Sequence, residues 1–334
     1  MCIREITEQR ECGNLSGRAC FSSDSRGRPV DEPPCAIRTC FQRDVDRVTY
    51  SKAFRRLAHK TQVFLKPEGD HYRTRLTHTL EVMRIARTMA RGLRLNEDLT
   101  EAVALGHDLG HTPFGHAGEA ALNELLDGGF NHNGQSFRVV ERLERSGRGL
   151  NLCREVSDGI LCHTGDTHPF TREAELVRFA DRIAYVNHDF DDAVRANLLS
   201  EDELPVWIRE CLGNSPRDRI NTLVTDIVEF STDKPEVSLT PESAGALKAL
   251  REFMFERVYY NPVAKSEENK GKDLLRRLFE HFSKNIGELP SEYRLIGEAE
   301  GGERAVADYI AGMTDRFAVM KYSELTVPKG WEKV

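Results

Sequence analysis

The stretch ALGHDLGHTPFGHAGE, Ala104–Glu119, places three histidines, an aspartate and a glutamate within sixteen residues. Its four glycines and one proline require the backbone to turn sharply. The pair His107-Asp108 falls where an apolar helical run, Leu99, Ala102, Val103 and Leu105, comes to an end. So many ionisable groups beside apolar positions are costly to fold unless something compensates the buried charge. A bound metal ion is the simplest compensator.

Upstream, Asn96 reads as the N-cap of that helix, with Glu97 and Asp98 in the first turn, where the helix dipole favours acids. The helix before it runs from about Thr77 to Arg91, with Val82, Ile85, Ala86, Met89 and Leu93 at helical spacing and Gly92 at its end. The connection from Gly92 to Asn96 is short, so the two helices are expected to be antiparallel neighbours. His78, at the start of one, and His107-Asp108, at the end of the other, then lie at the same end of the pair.

Downstream, Thr112-Pro113 reads as an N-cap followed by a proline at the first helical position. The helix it opens carries Ala117, Ala120, Ala121, Leu122 and Leu125 and stops at Gly128-Gly129. His116 and Glu119, three apart, share one face of it. A further helix is expected from about Ser136 to Glu144. His163 and His168, around a turn at Gly165, read as inert loop histidines. A long helical run from about Arg172 to Leu199 has Leu176, Val177, Ala180, Ile183, Ala184, Val186 and Phe190 on its apolar face. Asp181 lies inside that face and needs a partner, either a metal or an arginine such as Arg178 or Arg182.

Composition sets the class. The chain has 334 residues, 39 % hydrophobic and 30 % charged, as suits a globular protein. Met1–Arg10 is polar and charged, and no apolar run approaches the ~20 residues that span a bilayer, so a cytoplasmic location without membrane contact is expected. The net charge of −7 argues against a surface devoted to nucleic acid while leaving room for a local basic pocket. Eight cysteines occur without a CxxC pair and at irregular gaps, which points to free thiols rather than a structural zinc. Residues 1–45 are rich in Gly, Pro, Ser, Arg and Cys and read as an irregular arm. Helical character is expected from about Phe41 to Leu65, with a dense basic face that includes Arg55, Arg56 and Lys60, and a break at Lys66–Asp70. The remainder, 201–334, reads as helices over Val206–Cys211, Arg219–Phe230, Ala244–Val258, Lys272–Asn285 and Arg304–Lys321. Nothing alternates convincingly with period two, so an all-α fold is expected: a helical core over 46–200 with C-terminal helices packed on it.

His78, His107-Asp108 and Asp181 form an H…HD…D pattern that resembles the HD-domain superfamily of metal-dependent phosphohydrolases. Two imidazoles and two carboxylates suit Mn, Mg or Fe, with Zn also compatible. The segments YSKAFRRLAHKTQVF (Tyr50–Phe64), RLTH (Arg75–His78), HDLGHTPFGHAGE, FNHNGQS, FADRIAYVNHDFDDA (Phe179–Ala193), YNPVAKSEE (Tyr260–Glu268) and DYIAGMTDRF (Asp308–Phe317) are similar to the deoxyguanosine triphosphate triphosphohydrolase branch. They occur in order over most of the chain beyond the arm.

The resemblance implies hydrolysis of a deoxynucleoside triphosphate to deoxynucleoside and inorganic triphosphate. It places a divalent metal on His78, His107, Asp108 and Asp181. His116, oriented by Glu119, is the expected acid/base. His111 and His132 are expected to contact phosphate oxygens, with Arg75, Arg182 and Tyr185 near by, and Gln62 and Asp189 to hold the sugar 3′-hydroxyl. It also implies a homo-oligomer, with a hexamer as one assembly, and leaves open a dNTP or single-stranded DNA effector. The competing readings are another HD-type phosphohydrolase, acting on a monophosphate or alarmone, and a nucleotide sensor without turnover.

Overall fold

The computed structural model of the protein describes residues 1–62, 73–259 and 262–328, the side chains of 262–266 excepted. The break at Lys66–Asp70, the end of the basic helix at Leu65, and Tyr260 and Lys265 of the YNPVAKSEE segment lie outside the described residues. In chain order the helices are α1 (Ile3–Asn14), α2 (Cys40–Thr49), α3 (Lys52–Arg56), α4 (Arg75–Gly92), α5 (Glu97–Gly106), α6 (His116–Leu125), α7 (His132–Arg138), the single turn α8 (Glu144–Gly147), α9 (Arg154–Leu161), α10 (Arg172–Arg195), α11 (Val206–Leu212), α12 (Pro216–Ser231), α13 (Pro241–Met254), α14 (Pro262–Lys284), α15 (Ser291–Glu300), α16 (Gly302–Ala311) and α17 (Asp315–Thr326). Among the described residues there is no β-strand, and Thr61 and Thr74 form an isolated antiparallel bridge. The fold is all-α. No helix among the described residues is long and apolar enough to cross a membrane.

The pair α4–α5 forms as its sequence dictates. The Thr74 hydroxyl accepts from the N–H of Thr77 to start α4, and the Asn96 carboxamide oxygen accepts from the N–H groups of Asp98 and Leu99 to start α5. Each such cap contributes about 1 kcal/mol. Helix α10 lies across both. Val82, Ala86 and Met89 of α4, Leu99, Ala102 and Val103 of α5, and Leu176, Ala180 and Ile183 of α10 are fully buried in one core. Burial of a Leu, Ile, Val or Met side chain is worth about 1.5–3 kcal/mol, so this three-helix contact is a rigid platform. A second core joins α6 to α14 and to α15–α17.

Several boundaries depart from the sequence expectation. The basic stretch is not one helix: the Ser51 hydroxyl accepts from the N–H of Phe54 and starts α3 anew after α2. Thr112-Pro113 does not open α6. Instead the Thr112 hydroxyl bonds the Gly115 carbonyl at 2.9 Å, Phe114 and Gly115 adopt φ of +62° and +56°, and the helix begins at His116. The expected Arg304–Lys321 helix is split at Gly312, because Thr314 caps a new start at Asp315. The Ser136–Glu144 expectation is met by α7, which begins at His132 and widens into a π-turn over Val139–Leu143.

The stretch 1–45 carries α1 and the beginning of α2 and is docked on the body. Glu155 accepts from the backbone N–H of Arg26 at 2.6 Å and the hydroxyl of Ser25 at 3.0 Å. Glu173 accepts from the N–H of Cys20 at 2.9 Å and of Asn96 at 3.0 Å. The Arg28 guanidinium pairs with buried Asp44 and donates to the carbonyls of Cys40 and Asn151. All eight cysteines are free.

Candidate active site

Three elements bring the H…HD…D residues to one point. His78 stands in the first turns of α4, His107 and Asp108 follow the last turn of α5, and Asp181 faces them from the middle of α10. His107 Nδ1 donates to the Ala104 carbonyl at 2.7 Å, one turn back in its own helix. This fixes the tautomer and leaves Nε2 as a bare lone pair. That lone pair is buried without a hydrogen-bond partner and lies 3.3 Å from Asp108 Oδ1 and 3.8 Å from Asp181 Oδ1. His78 Nε2 is 3.1 Å from the same Asp181 oxygen. Donor atoms of His78, His107 and Asp108 all lie within 4.8 Å of one another.

A lone pair turned toward two carboxylates in a buried site is repulsive unless a cation lies between them. The donor set therefore fits a divalent metal, with two imidazole nitrogens and two carboxylate oxygens. Burial works against the Asp108 carboxylate, yet the Arg75 guanidinium that donates to it favours its anionic form, and the carboxyl lies well below the usual range. The same contest favours the anion at Asp181, where the bond to His78 outweighs burial.

Ser136 locks the turn from beneath. Its hydroxyl donates to the His107 carbonyl at 2.7 Å and accepts from the Gly110 N–H at 2.8 Å. Gly110 is obligatory there, since a Cβ would lie 2.1 Å from the Ser136 nitrogen. His111 then packs with Nδ1 2.9 Å from Asp108 Oδ1, out of line for a hydrogen bond, and its ring stacks on His132 at 4.1 Å.

Glu119 is the hub of the second group. Its Oε1 accepts from the N–H of His132 at 2.7 Å and from His132 Nδ1 at 2.9 Å, while Oε2 faces His116 Nδ1 at 3.2 Å. Burial alone would raise this carboxyl, but the hydrogen bonds from His116 and His132 hold it far below the usual range. The His132 imidazole is correspondingly raised against its burial, by its Glu119 bond. Glu119 thus orients two imidazoles rather than the one read from helical spacing. The His116 side chain is 79 % exposed at the cavity edge, where water and substrate can reach it.

These groups open on a cavity of about 440 Å³. Beyond the metal-ligand set its walls include Gln62, Arg75, Tyr185 and Asp189. Arg75 also donates to Asp108 Oδ2 at 2.9 Å, so it braces a candidate metal ligand as well as facing the cavity. The Gln62 carboxamide oxygen is buried with no hydrogen-bond partner among the described residues. Asp189 accepts from the Tyr259 hydroxyl, and burial pushes its carboxyl up to about 7 despite that bond. Burial likewise pushes the Tyr185 phenol up to about 12. His107 and Glu119 stand behind the cavity wall, bonded or close to residues that line it, whereas Arg182 is turned away: it is exposed, with its guanidinium 6.0 Å from the Phe179 ring. The reason is helical geometry. With Asp181 aimed inward, Tyr185 and Asp189 follow at i+4 and i+8 on the same face, whereas Arg182 is rotated by about 100° toward solvent. Arg178, the other arginine offered for Asp181, donates instead to the carbonyls of Gly165 and Thr167.

Residues 75–186 match the HD domain, and residues 218–324 match the phosphohydrolase-associated domain. A deoxyguanosinetriphosphate triphosphohydrolase-like protein from Caldanaerobacter subterraneus subsp. tengcongensis is 56 % identical over 331 residues, 99 % of this chain and 98 % of that one. A protein of the same description from Clostridium perfringens strain SM101 is 50 % identical over 338 residues, 98 % of this chain and 99 % of that one. The chain belongs to the deoxyguanosinetriphosphate triphosphohydrolase-like family of HD-domain phosphohydrolases. The fold is also that of a solved phosphohydrolase from Bacteroides thetaiotaomicron, with a TM-score of 0.53 at 17 % identity over 85 % of this chain and 68 % of that one.

In this HD-family chain the HD match spans α4 to α10 and holds all four candidate metal ligands. The associated match supplies Arg251, Phe255, Tyr259 and Lys272 to the cavity. Three residues escaped the sequence reading. His163 is no inert loop histidine: its Nδ1 donates to the Ile160 carbonyl, its Nε2 faces His132 Nε2 at 3.3 Å, and its ring lies 5.0 Å from that of His107. Burial, with His107 and His132 beside it, pushes it down to about 3. Tyr259 reaches Asp189 from a π-turn, Phe255–Tyr259, whose helical spacing carried no polar signal. Lys60, read as part of a basic face, is buried and donates to the carbonyls of His111 and Ala311; burial pushes it down to about 7. His168 is exposed, as a loop histidine should be.

Proposed function

We propose that this HD-domain hydrolase is a metal-dependent dNTP triphosphohydrolase, converting a deoxynucleoside triphosphate and water to the deoxynucleoside and inorganic triphosphate. The observation that carries this reading is the buried His107 nitrogen turned toward two carboxylates that line a cavity, whose walls also present His116 and His132, both bonded to Glu119, and, on the α10 face, Tyr185 and Asp189. His78, His107, Asp108 and Asp181 would hold the divalent ion, with Mn, Mg or Fe as the best match to the donor set and Zn also compatible. When bound, that ion supplies Lewis-acid polarisation of a phosphoryl oxygen.

The protein's own groups do the rest. Arg75, His111 and His132 donate to phosphate oxygens as negative charge develops there. In the reaction the oxygen of water joins the α-phosphorus, the bond from phosphorus to the 5′ oxygen breaks, and the 5′ oxygen takes a proton. His116, oriented through Nδ1 by Glu119, holds or gives that proton at Nε2. Gln62 and Asp189 bind the sugar hydroxyl, and Tyr259 holds Asp189 in place. The names of the relatives support a guanine nucleotide among the substrates.

Purified protein with Mn²⁺ is tested against each dNTP, alone and in mixtures, with inorganic triphosphate, pyrophosphate and orthophosphate resolved. Triphosphate as the sole inorganic product is expected, and His107→Ala or Asp108→Ala should lose both bound metal and activity. Orthophosphate or pyrophosphate as the product, or full activity in either variant, would sink the proposal. Solution mass with and without dNTP or single-stranded DNA tests the expected homo-oligomer and its effector.

A further inference from the structure

The segment Asp308–Phe317 contributes nothing to the described cavity wall, yet it is tied to it at several points. Buried Asp308 accepts from Gln135 Nε2 at 3.0 Å and from Arg138 Nε at 2.8 Å, holding α7, on which Ser136 stands. The Ala311 carbonyl shares the Lys60 ammonium with the His111 carbonyl. Asp315, 6 % exposed at the start of α17, makes the decisive contacts. Its Oδ1 accepts from the N–H of Phe114 at 3.1 Å. Its Oδ2 accepts from the N–H of Thr61 at 3.0 Å and from the Thr61 hydroxyl.

Both partners are one or two residues from a site group. Phe114 has φ +62°, a conformation that is unfavourable for a non-glycine residue and needs an external hold. It is followed by Gly115 and then His116. Thr61 precedes Gln62, whose backbone carbonyl lies 3.5 Å from an Arg75 guanidinium nitrogen and whose residue lines the cavity. One carboxylate therefore clamps the turn that sets His116 and the irregular segment that sets Gln62.

We infer that Asp315 is a positioning residue that keeps the proton-transfer turn and the sugar-binding glutamine in register, so that the C-terminal segment governs both turnover and deoxyribose selection. The inference rests on the dNTP triphosphohydrolase reading. Replacement by asparagine preserves shape but puts an amide donor against one of the two donor sets.

The test uses the full-length Mn²⁺-loaded protein and measures kcat and KM for dGTP and GTP, with bound Mn²⁺ counted. Asp315→Asn should lower kcat/KM for dGTP at least tenfold and the dGTP-over-GTP ratio at least threefold, with metal stoichiometry unchanged. Thr61→Val should shift the ratio the same way by less, and the double variant should be no worse than Asp315→Asn. Gln62→Ala should lower the ratio on its own. A folded Asp315→Asn with an unchanged ratio overturns the inference even if activity falls, because a merely structural loss would slow both substrates alike. If Asp315→Asn does not fold, an unchanged ratio in Thr61→Val overturns it equally, as does an unchanged ratio in Gln62→Ala. Failure of the wild-type protein to release triphosphate from dGTP or any other dNTP is a different result, and it removes the functional reading beneath.

Discussion

Glu119→Gln probes the hub of the site without altering its size. The carboxylate accepts two hydrogen bonds from His132 on one oxygen and faces His116 with the other. A glutamine has only one acceptor oxygen. If that oxygen serves His132, both bonds survive but lose their ionic character, at about 1–1.5 kcal/mol each, the difference between charged and neutral hydrogen bonds. The amide N–H₂ then faces His116 Nδ1, which can no longer donate there, so the imidazolium that gives its Nε2 proton to the 5′ oxygen loses the carboxylate that orients and stabilises it. If the amide is turned the other way, two donors confront the two donors of His132, which is worse. A loss of about 2–3 kcal/mol of transition-state stabilisation corresponds to roughly a 10²-fold lower kcat. Bound metal should stay at the wild-type stoichiometry, because none of the four candidate ligands touches Glu119. The assay is triphosphate release at saturating dGTP, with metal content and melting temperature measured on the same preparation. A kcat within threefold of wild type in a folded, metal-loaded variant would refute the orienting role of Glu119.

Two further outcomes follow from the geometry. Gly110→Ala drives a Cβ to 2.1 Å from the Ser136 nitrogen and 2.6 Å from the His132 carbonyl oxygen, backbone atoms that cannot swing away; a loss of about 1–3 kcal/mol and several degrees of melting temperature is expected, whereas Gly128→Ala, which meets nothing within 4 Å, should be neutral, and equal melting of the two variants would contradict the account. Asp189 keeps its proton in the folded state up to about pH 7 but loses it near 3.8 when unfolded, so the folded state binds more protons in that window and the contribution of this group to stability falls as pH rises through it; wild type and Asp189→Asn should therefore diverge by up to about 4 kcal/mol in unfolding free energy between pH 4 and pH 7.5, and parallel pH profiles would show that the raised carboxyl is not at Asp189.

The residues legible in the sequence are those whose placement follows from local helix rules. Asn96 and the short connection after Gly92 were enough to bring His78 beside His107-Asp108, and the i, i+3 spacing paired His116 with Glu119. Arg182 was carried over by resemblance, and a single step of helical rotation takes it to the exterior. His163 was missed because its significance lies in contacts with His107 and His132, far away in sequence, and a histidine after a helix end carries no local mark of them. Thr112-Pro113 misled because the same residues that open helices also close tight turns, and only the left-handed Phe114-Gly115 pair decides between the two. Lys60 looked like one charge among many, since nothing in its neighbourhood announces that its ammonium will be buried against the carbonyls of His111 and Ala311.

The clamp at Asp315 has a consequence for how the protein comes into being. Thr61 and Phe114 are 254 and 201 residues away from it along the chain. During synthesis the four candidate metal ligands are all made, and free to gather, before the aspartate that steadies the neighbouring turn exists. A nascent chain that has reached α10 therefore carries the candidate ligands without the carboxylate that bonds Thr61 and Phe114. The hold on the turn at Phe114 can form only after α17 has been made.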